Sequence, residues 1–320
     1  MKALSPIDLY LRINRTVWML LPAALRDTRV ARWYGGLLHS LVCQRAKRQQ
    51  FFGTFFLRNR PQLEQIRRVI QSQPHGATLR VAVLGCSTGA EVYSLLWTIR
   101  SARPDLKLHT LAVDISPEIL RIAETGVYTK ESSNSPGRSI FERLSNAELQ
   151  EIFDWNGEKA TVKPWIRANI TWQLGDAADP GLISDLGAQD IVLASNFLCH
   201  MPPAFAEKCL RNIAHLVGNG GYLFVLGVDL AVRSKVAREL GWQPVPDLIR
   251  EIHDGDPSVR DSWPLEWWGL EPLDDKRRDW QLRYAVAYRT ENKHEPHLIA
   301  AEIDIAEKRI SAPVDGVVRG

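Results

Sequence analysis

Cysteine is scarce in this chain: Cys43, Cys86, Cys199 and Cys209 are the only four in 320 residues. None falls in a Cys-x-x-Cys pair or a metal-ligand spacing, so no disulfide framework and no metal are expected, and a reducing cytoplasm fits. Long apolar runs are missing too. The longest near the start, Val17 to Leu25, contains Pro22 and is too short for a membrane span. With no secretory signal evident, the expectation is a cytoplasmic protein without stable membrane insertion. Recognisable nucleic-acid modules and interleaved basic and aromatic residues are also lacking, so neither RNA nor DNA is an expected partner.

What is present is size and an uneven charge. At 45% apolar residues the chain can bury a large core, as one large domain with appendages or as two domains. Net charge is only +3, yet Met1 to Arg60 holds eleven Lys/Arg against Asp8 and Asp27, a local +9. A basic lobe could attract an anionic partner or be an ordinary solvated helical face.

The organising stretch is Arg80 to Ser94. Arg80 to Leu84 is a short β-branched run of the kind buried on both faces, and a helical pattern opens at Ala90. Between them Gly85 can take dihedrals other residues avoid, and Gly89 permits close approach at a helix N-terminus. Leu106 to Val113 reads as a second buried strand ending in Asp114, which is placed to accept hydrogen bonds from two ribose hydroxyls. Ser116-Pro117-Glu118 then starts a helix. Strand, glycine turn, helix and ribose acid follow one another as in a doubly wound nucleotide-binding sheet.

Four separated segments then resemble the chemotaxis-receptor methyltransferases, which are class I S-adenosylmethionine (SAM) enzymes. They are Thr54-Phe55-Phe56-Leu57-Arg58, Cys86 to Ser94, Asp114-Ile115-Ser116 with Ala123 to Tyr128, and Asp190 to Leu198. The similarity runs from about Phe51 to Val228. It implies a Rossmann-like α/β methyltransferase sheet with SAM as cofactor. It further implies that Thr54 and Arg58 reach the cofactor, Arg58 at its carboxylate, while Glu91 holds the methionine ammonium. Asp114 would take the ribose, Asp176 with Ala177 the adenine edge, and Asn196 the sulfonium end. Two positions depart from the family: Ser195 stands where it has Arg, and His200 where it has Tyr. Both belong to the acceptor side.

Outside the resemblance the expectations come from pattern alone. Residues 5 to 50 read as three helices, broken at Pro22 and at Gly35-Gly36, so residues 1–60 form an N-terminal helical lobe with a cofactor-facing segment and 61–320 the methyltransferase domain. Pro61 to Gln73 is a helix, 129 to 139 a mobile loop, Ser145 to Phe153 a short helix, and Trp165 to Leu174 contains a strand. Asp190 to Ala194 is the fourth strand. Pro202-Pro203 opens a helix to Val217, which Gly218 to Gly221 closes before a strand from Tyr222 to Leu226. Leu282 to Arg289 pairs antiparallel, with Ile299 to Ile305 as its partner or a helix. Gly241 to Trp280 holds five of the eleven tryptophans with His253, Asp254 and Asp256, and reads as a substrate lid or as core packing under an irregular loop.

The function expected is methyl transfer to an oxygen or nitrogen of a small-molecule acceptor, with His200 as base if that acceptor is a hydroxyl or amine. Two alternatives stay open, glutamate methylation on a membrane receptor and SAM sensing without turnover. Nicotinamide chemistry fits less well, because the turn lacks the three-glycine dinucleotide spacing.

Overall fold

A computed structural model describes residues 5–48, 50–130, 132 and 138–290. Its centre is strand β1, Thr78–Leu84, whose last four side chains are all buried because helices cover both faces of the sheet. Val81 and Val83 join one core, with helices Arg60–Gln71 and Ala90–Ala102. Ala82 and Leu84 join the other, with helices Pro180–Leu186, Pro203–Ala214 and Leu230–Glu239. In chain order the strands that follow are β2 (Lys107–Asp114), β3 (Ile170–Leu174), β4 (Gln189–Ser195), β5 (Val217–Leu226), β6 (Gln243–Pro244) and β7 (Ala287–Arg289). Across the sheet they run β3-β2-β1-β4-β5-β7-β6. The first five in that order are parallel, and β7 is antiparallel to both neighbours. The strand order reverses between β1 and β4, so the loops after β1, β2 and β4 converge on one crevice at the strands' C-terminal ends.

The doubly wound expectation holds, and several boundaries shift. Helix Arg29–Gln44 runs straight through Gly35-Gly36 instead of breaking there. The reason is contact: a Cβ at Gly35 would run into the rings of Trp18 and Trp263, so the glycine serves a close crossing. Pro22 does end the first helix, Pro6–Leu20. Pro164–Arg167 is a helical turn, and the third strand begins only at Ile170. The helix from Pro203 stops at Ala214, and Gly218 to Gly221 lies inside β5 rather than capping a helix. A register shift against β4 absorbs that glycine run.

At the far edge only Ala287–Arg289 of the expected strand is extended, while Trp280–Tyr284 is a helix. Its outer partner is Gln243–Pro244; Ile299 to Ile305 lies outside the described residues, as does most of 129 to 139. A small second sheet went unforeseen, formed by Val127–Tyr128, Phe153–Asn156 and Lys159–Val162. Its hairpin turns at Gly157-Glu158, where Gly157 takes φ +60° at the first central position of a two-residue loop, a place that favours glycine. Among the described residues no helix is long and apolar enough to cross a membrane.

Candidate functional site

The turn after β1 is held from both sides. The Ser87 amide donates to Asp114 Oδ2 at 2.8 Å, and the Ser116 amide donates to Oδ1 at 3.1 Å. One carboxylate at the end of β2 therefore fixes two loops and keeps further lone pairs for a ligand. Burial raises the Asp114 pKa above the ordinary carboxylate value, and the surrounding amides pull it back. Gly85, with φ +65°, is required because a Cβ there would strike the Phe197 ring. Gly89, with φ +88°, lies away from the cleft lining. What approaches it is Ala123 and the Tyr128 hydroxyl, so its role here is packing.

These loops frame a cleft of about 1130 Å³, open to solvent. Thr54, Arg58, Gly85, Glu91, Asp114, Asp176, Ala177, Asn196 and His200 all line it, so nine of the ten residues expected from sequence are brought together. Thr54 and Arg58 arrive from the segment before the sheet, which is anchored when the Ser87 hydroxyl donates to the Phe52 carbonyl at 2.7 Å and the Leu57 amide donates to Ser94 Oγ at 2.9 Å. Glu91 is raised by burial, against which the Ser195 hydroxyl and Arg58 pull down. Ser195 Oγ is buried next to Glu91, the neighbour whose carboxylate it steadies. Asp176 is less free than the adenine role implies: Arg48 pairs with it at 2.6 Å and the Ala178 amide donates to it at 3.0 Å.

A second cavity of about 840 Å³ adjoins the cleft, and Arg58, Asn59 and Asn196 line both. Asn196 sits at the end of β4 with φ +59°, tolerable for Asn. Behind it Gly227 has no room for a Cβ, which would press on Asn196. The outer wall is the Trp-rich stretch, where Trp267 and Trp268 meet edge to face with ring centroids 4.4 Å apart. Trp242 and Trp263 do other work, packing on Tyr288 and on Trp18. The core-packing expectation describes Trp242 and Trp263, whereas Trp267 and Trp268 line the second cavity.

Three residues of the second cavity take their roles only from the fold, although Asp256 and His253 stand out in the Trp-rich stretch. Asp256 accepts from Arg58 Nε and from an Arg143 guanidinium, each at 3.2 Å, tying the wall segment to the cleft. Arg233 is 2% exposed and donates to the carbonyls of Val225 and Arg283, while its Nε stays unpartnered among the described residues. His253 is 4% exposed, hydrogen-bonded to the Glu271 main chain, and its Nε2 is likewise unpartnered. Burial drives the His253 pKa down to about 4, so the ring is neutral. His200 lines the cleft, not this cavity; its Nδ1 accepts from the Trp267 indole at 3.4 Å, and burial and Arg58 lower its pKa.

The donor set fits SAM. The acid ending β2 would suit a ribose diol, Glu91 an ammonium and Arg58 a carboxylate, all three on the cleft lining with Ser195 beside Glu91. Residues 53–237 match the family model described as CheR methyltransferase, SAM binding domain. An uncharacterized 104.1 kDa protein of Rhodobacter capsulatus is 31% identical over 166 residues, covering 49% of this chain and 16% of that one. The probable biofilm formation methyltransferase WspC of Pseudomonas aeruginosa is 25% identical over 171 residues, 53% of this chain and 38% of its own. A chemotaxis protein methyltransferase of Listeria monocytogenes is 25% identical over 179 residues, covering 54% and 63%. The chain therefore spans less than two thirds of each of these relatives.

Proposed function

The chain belongs to the CheR methyltransferase family through its SAM-binding domain, and on that premise we propose that it moves the SAM methyl group to an oxygen or nitrogen of a small molecule seated in the second cavity. The observation that carries this reading is the party wall: a walled cavity meets the cofactor cleft at Arg58, Asn59 and Asn196. Trp267, Trp268 and Leu270 line this space, a set of apolar walls that suits a small molecule better than a protein side chain brought in on its backbone.

When bound, SAM supplies a methyl group already activated by a positive sulfur. The chain's task is then to bind, align and exclude water. Asp114 holds the ribose diol, Glu91 the ammonium and Arg58 the carboxylate; Thr54, Asp176, Ala177 and Asn196 complete the contacts. The buried Arg233 and the bare Nε2 of His253 suit an acceptor with polar groups of its own. A carboxylate acceptor arrives deprotonated. For a hydroxyl or amine, His200 takes the proton at the cleft edge on Nδ1 once the Trp267 indole that donates to it has moved aside.

In the same reading 1–60 is a lobe feeding the cleft and 241–280 a lid, of which Trp267 to Leu270 must part for entry. The free thiols of the four cysteines suit a cytoplasmic setting. A second reading, methylation of a protein carboxylate, is favoured by the names of the chemotaxis relatives. Incubation of the protein with radiolabelled SAM and fractionated cell extract separates the two. Label in the small-molecule fraction is expected, label in membrane protein would transfer the assignment to the second reading, and SAM binding without any labelled product would leave a sensor.

A further inference from the structure

His39 and Cys43 are one turn apart on helix Arg29–Gln44, so their side chains share a face. The Asp229 carboxylate reaches the same point from the loop after β5. One ligating atom from each of the three lies within 4.8 Å of the others.

The local hydrogen bonds prepare each group. His39 Nδ1 is 3.4 Å from the Pro264 carbonyl oxygen, an acceptor only, so that nitrogen carries the proton and Nε2 presents a lone pair. A ring nitrogen tied to a main-chain carbonyl is the usual outer support of a metal-bound histidine. Nε2 and Cys43 Sγ are 3.4 Å apart. Nitrogen and sulfur bound to one tetrahedral zinc ion are separated by about 3.5 Å, given the usual bond lengths. Asp229 spends Oδ1 on the amides of Ala231 and Val232, at 2.8 and 3.0 Å, which leaves its other oxygen available.

We propose that His39 Nε2, Cys43 Sγ and the Asp229 carboxylate form a site for one divalent transition-metal ion, zinc foremost, with its fourth position open to the second cavity. One nitrogen, one sulfur and one oxygen suit zinc and its neighbours and not calcium or magnesium. Three protein ligands with an open place are the pattern of a reactive rather than a purely structural site. The opening faces the second cavity because His39 and Asp229 also line it. Binding forms the metal–sulfur bond and releases the thiol proton to solvent. An acceptor hydroxyl at the open place would deprotonate more easily. That use rests on the acceptor reading above, whereas metal binding does not.

The test takes the full chain, stripped with a chelator and titrated with cobalt(II), with calorimetric SAM binding measured on every sample. Expected are one equivalent bound, a thiolate-to-cobalt charge-transfer absorption, and displacement by zinc. Cys43→Ser should abolish that absorption, and His39→Gln and Asp229→Asn should each weaken binding at least tenfold, with SAM affinity unchanged. Wild-type protein that binds SAM but no stoichiometric cobalt overturns the site, without need of any variant. So does a charge-transfer band that survives Cys43→Ser. Neither result touches methyl transfer, which the labelling experiment decides separately.

Discussion

The two cavities are built in different ways. The cofactor cleft is made by turns at the ends of adjacent parallel strands, and its central carboxylate, Asp114, is fixed by main-chain amides of Ser87 and Ser116. The second cavity is made by side chains from remote segments, among them His39, Asn196, Asp229, His253 and Trp267. Main-chain scaffolding constrains the cleft to one ligand geometry, while side-chain walls can be exchanged without disturbing the sheet. The cleft is therefore where family likeness concentrates, and the second cavity is where this chain can be itself.

The comparison is broken most severely by Asp114→Ala. Loss of two charge-assisted bonds to a ribose should cost about 3–4 kcal/mol, a few hundredfold in SAM affinity, read by calorimetry with SAM and S-adenosylhomocysteine. Unchanged affinity would mean the cofactor does not lie along β2.

The next effect belongs to the second cavity. His253 falls from an ordinary 6.5 to about 4, so its folded value lies below its unfolded one. As pH drops below about 6.5 the unfolded chain takes up a proton that the native chain refuses, and stability is lost toward pH 4, by up to about 3 kcal/mol. His253→Gln should remove that part of the slope in denaturant titrations at stepped pH. A slope identical to wild type would show that the imidazole is not held neutral.

His200→Ala should lower kcat by about a hundredfold for a hydroxyl or amine acceptor, with SAM affinity intact. A full rate would take proton transfer away from the cleft edge. Smallest is Trp267→Ala, expected to raise the acceptor KM about tenfold and leave SAM binding within about twofold, since one desolvated aromatic contact is lost. Equal damage to both reactants would erase the distinction between the cavities.

Legibility in the sequence followed the same division. The strands around Gly85, Asp114 and Asn196 were readable because buried parallel strands are continuous apolar runs and the turns carry their chemistry within a few residues. Arg58 and Glu91 came from the family resemblance, and the structure sets both against the cleft. Arg233 was hidden, and His253 stood out only as a polar member of the Trp-rich stretch, since each becomes unusual only through burial beside segments far along the chain. Gly35 misleads for a related cause: Gly35-Gly36 looks like a helix stop until Trp18 and Trp263 are seen against Gly35. The Gly157-Glu158 hairpin is local, and its glycine is the one mark it leaves in the sequence.

Gly227 has a consequence for anyone wishing to redirect the protein. With φ +61° it lies so close to Asn196 that an added Cβ would meet that residue's backbone at 2.6 Å. Libraries that seek new acceptors can vary Trp268 and Leu270 while sparing this glycine. Any side chain placed there would displace Asn196, the residue that lines both cavities.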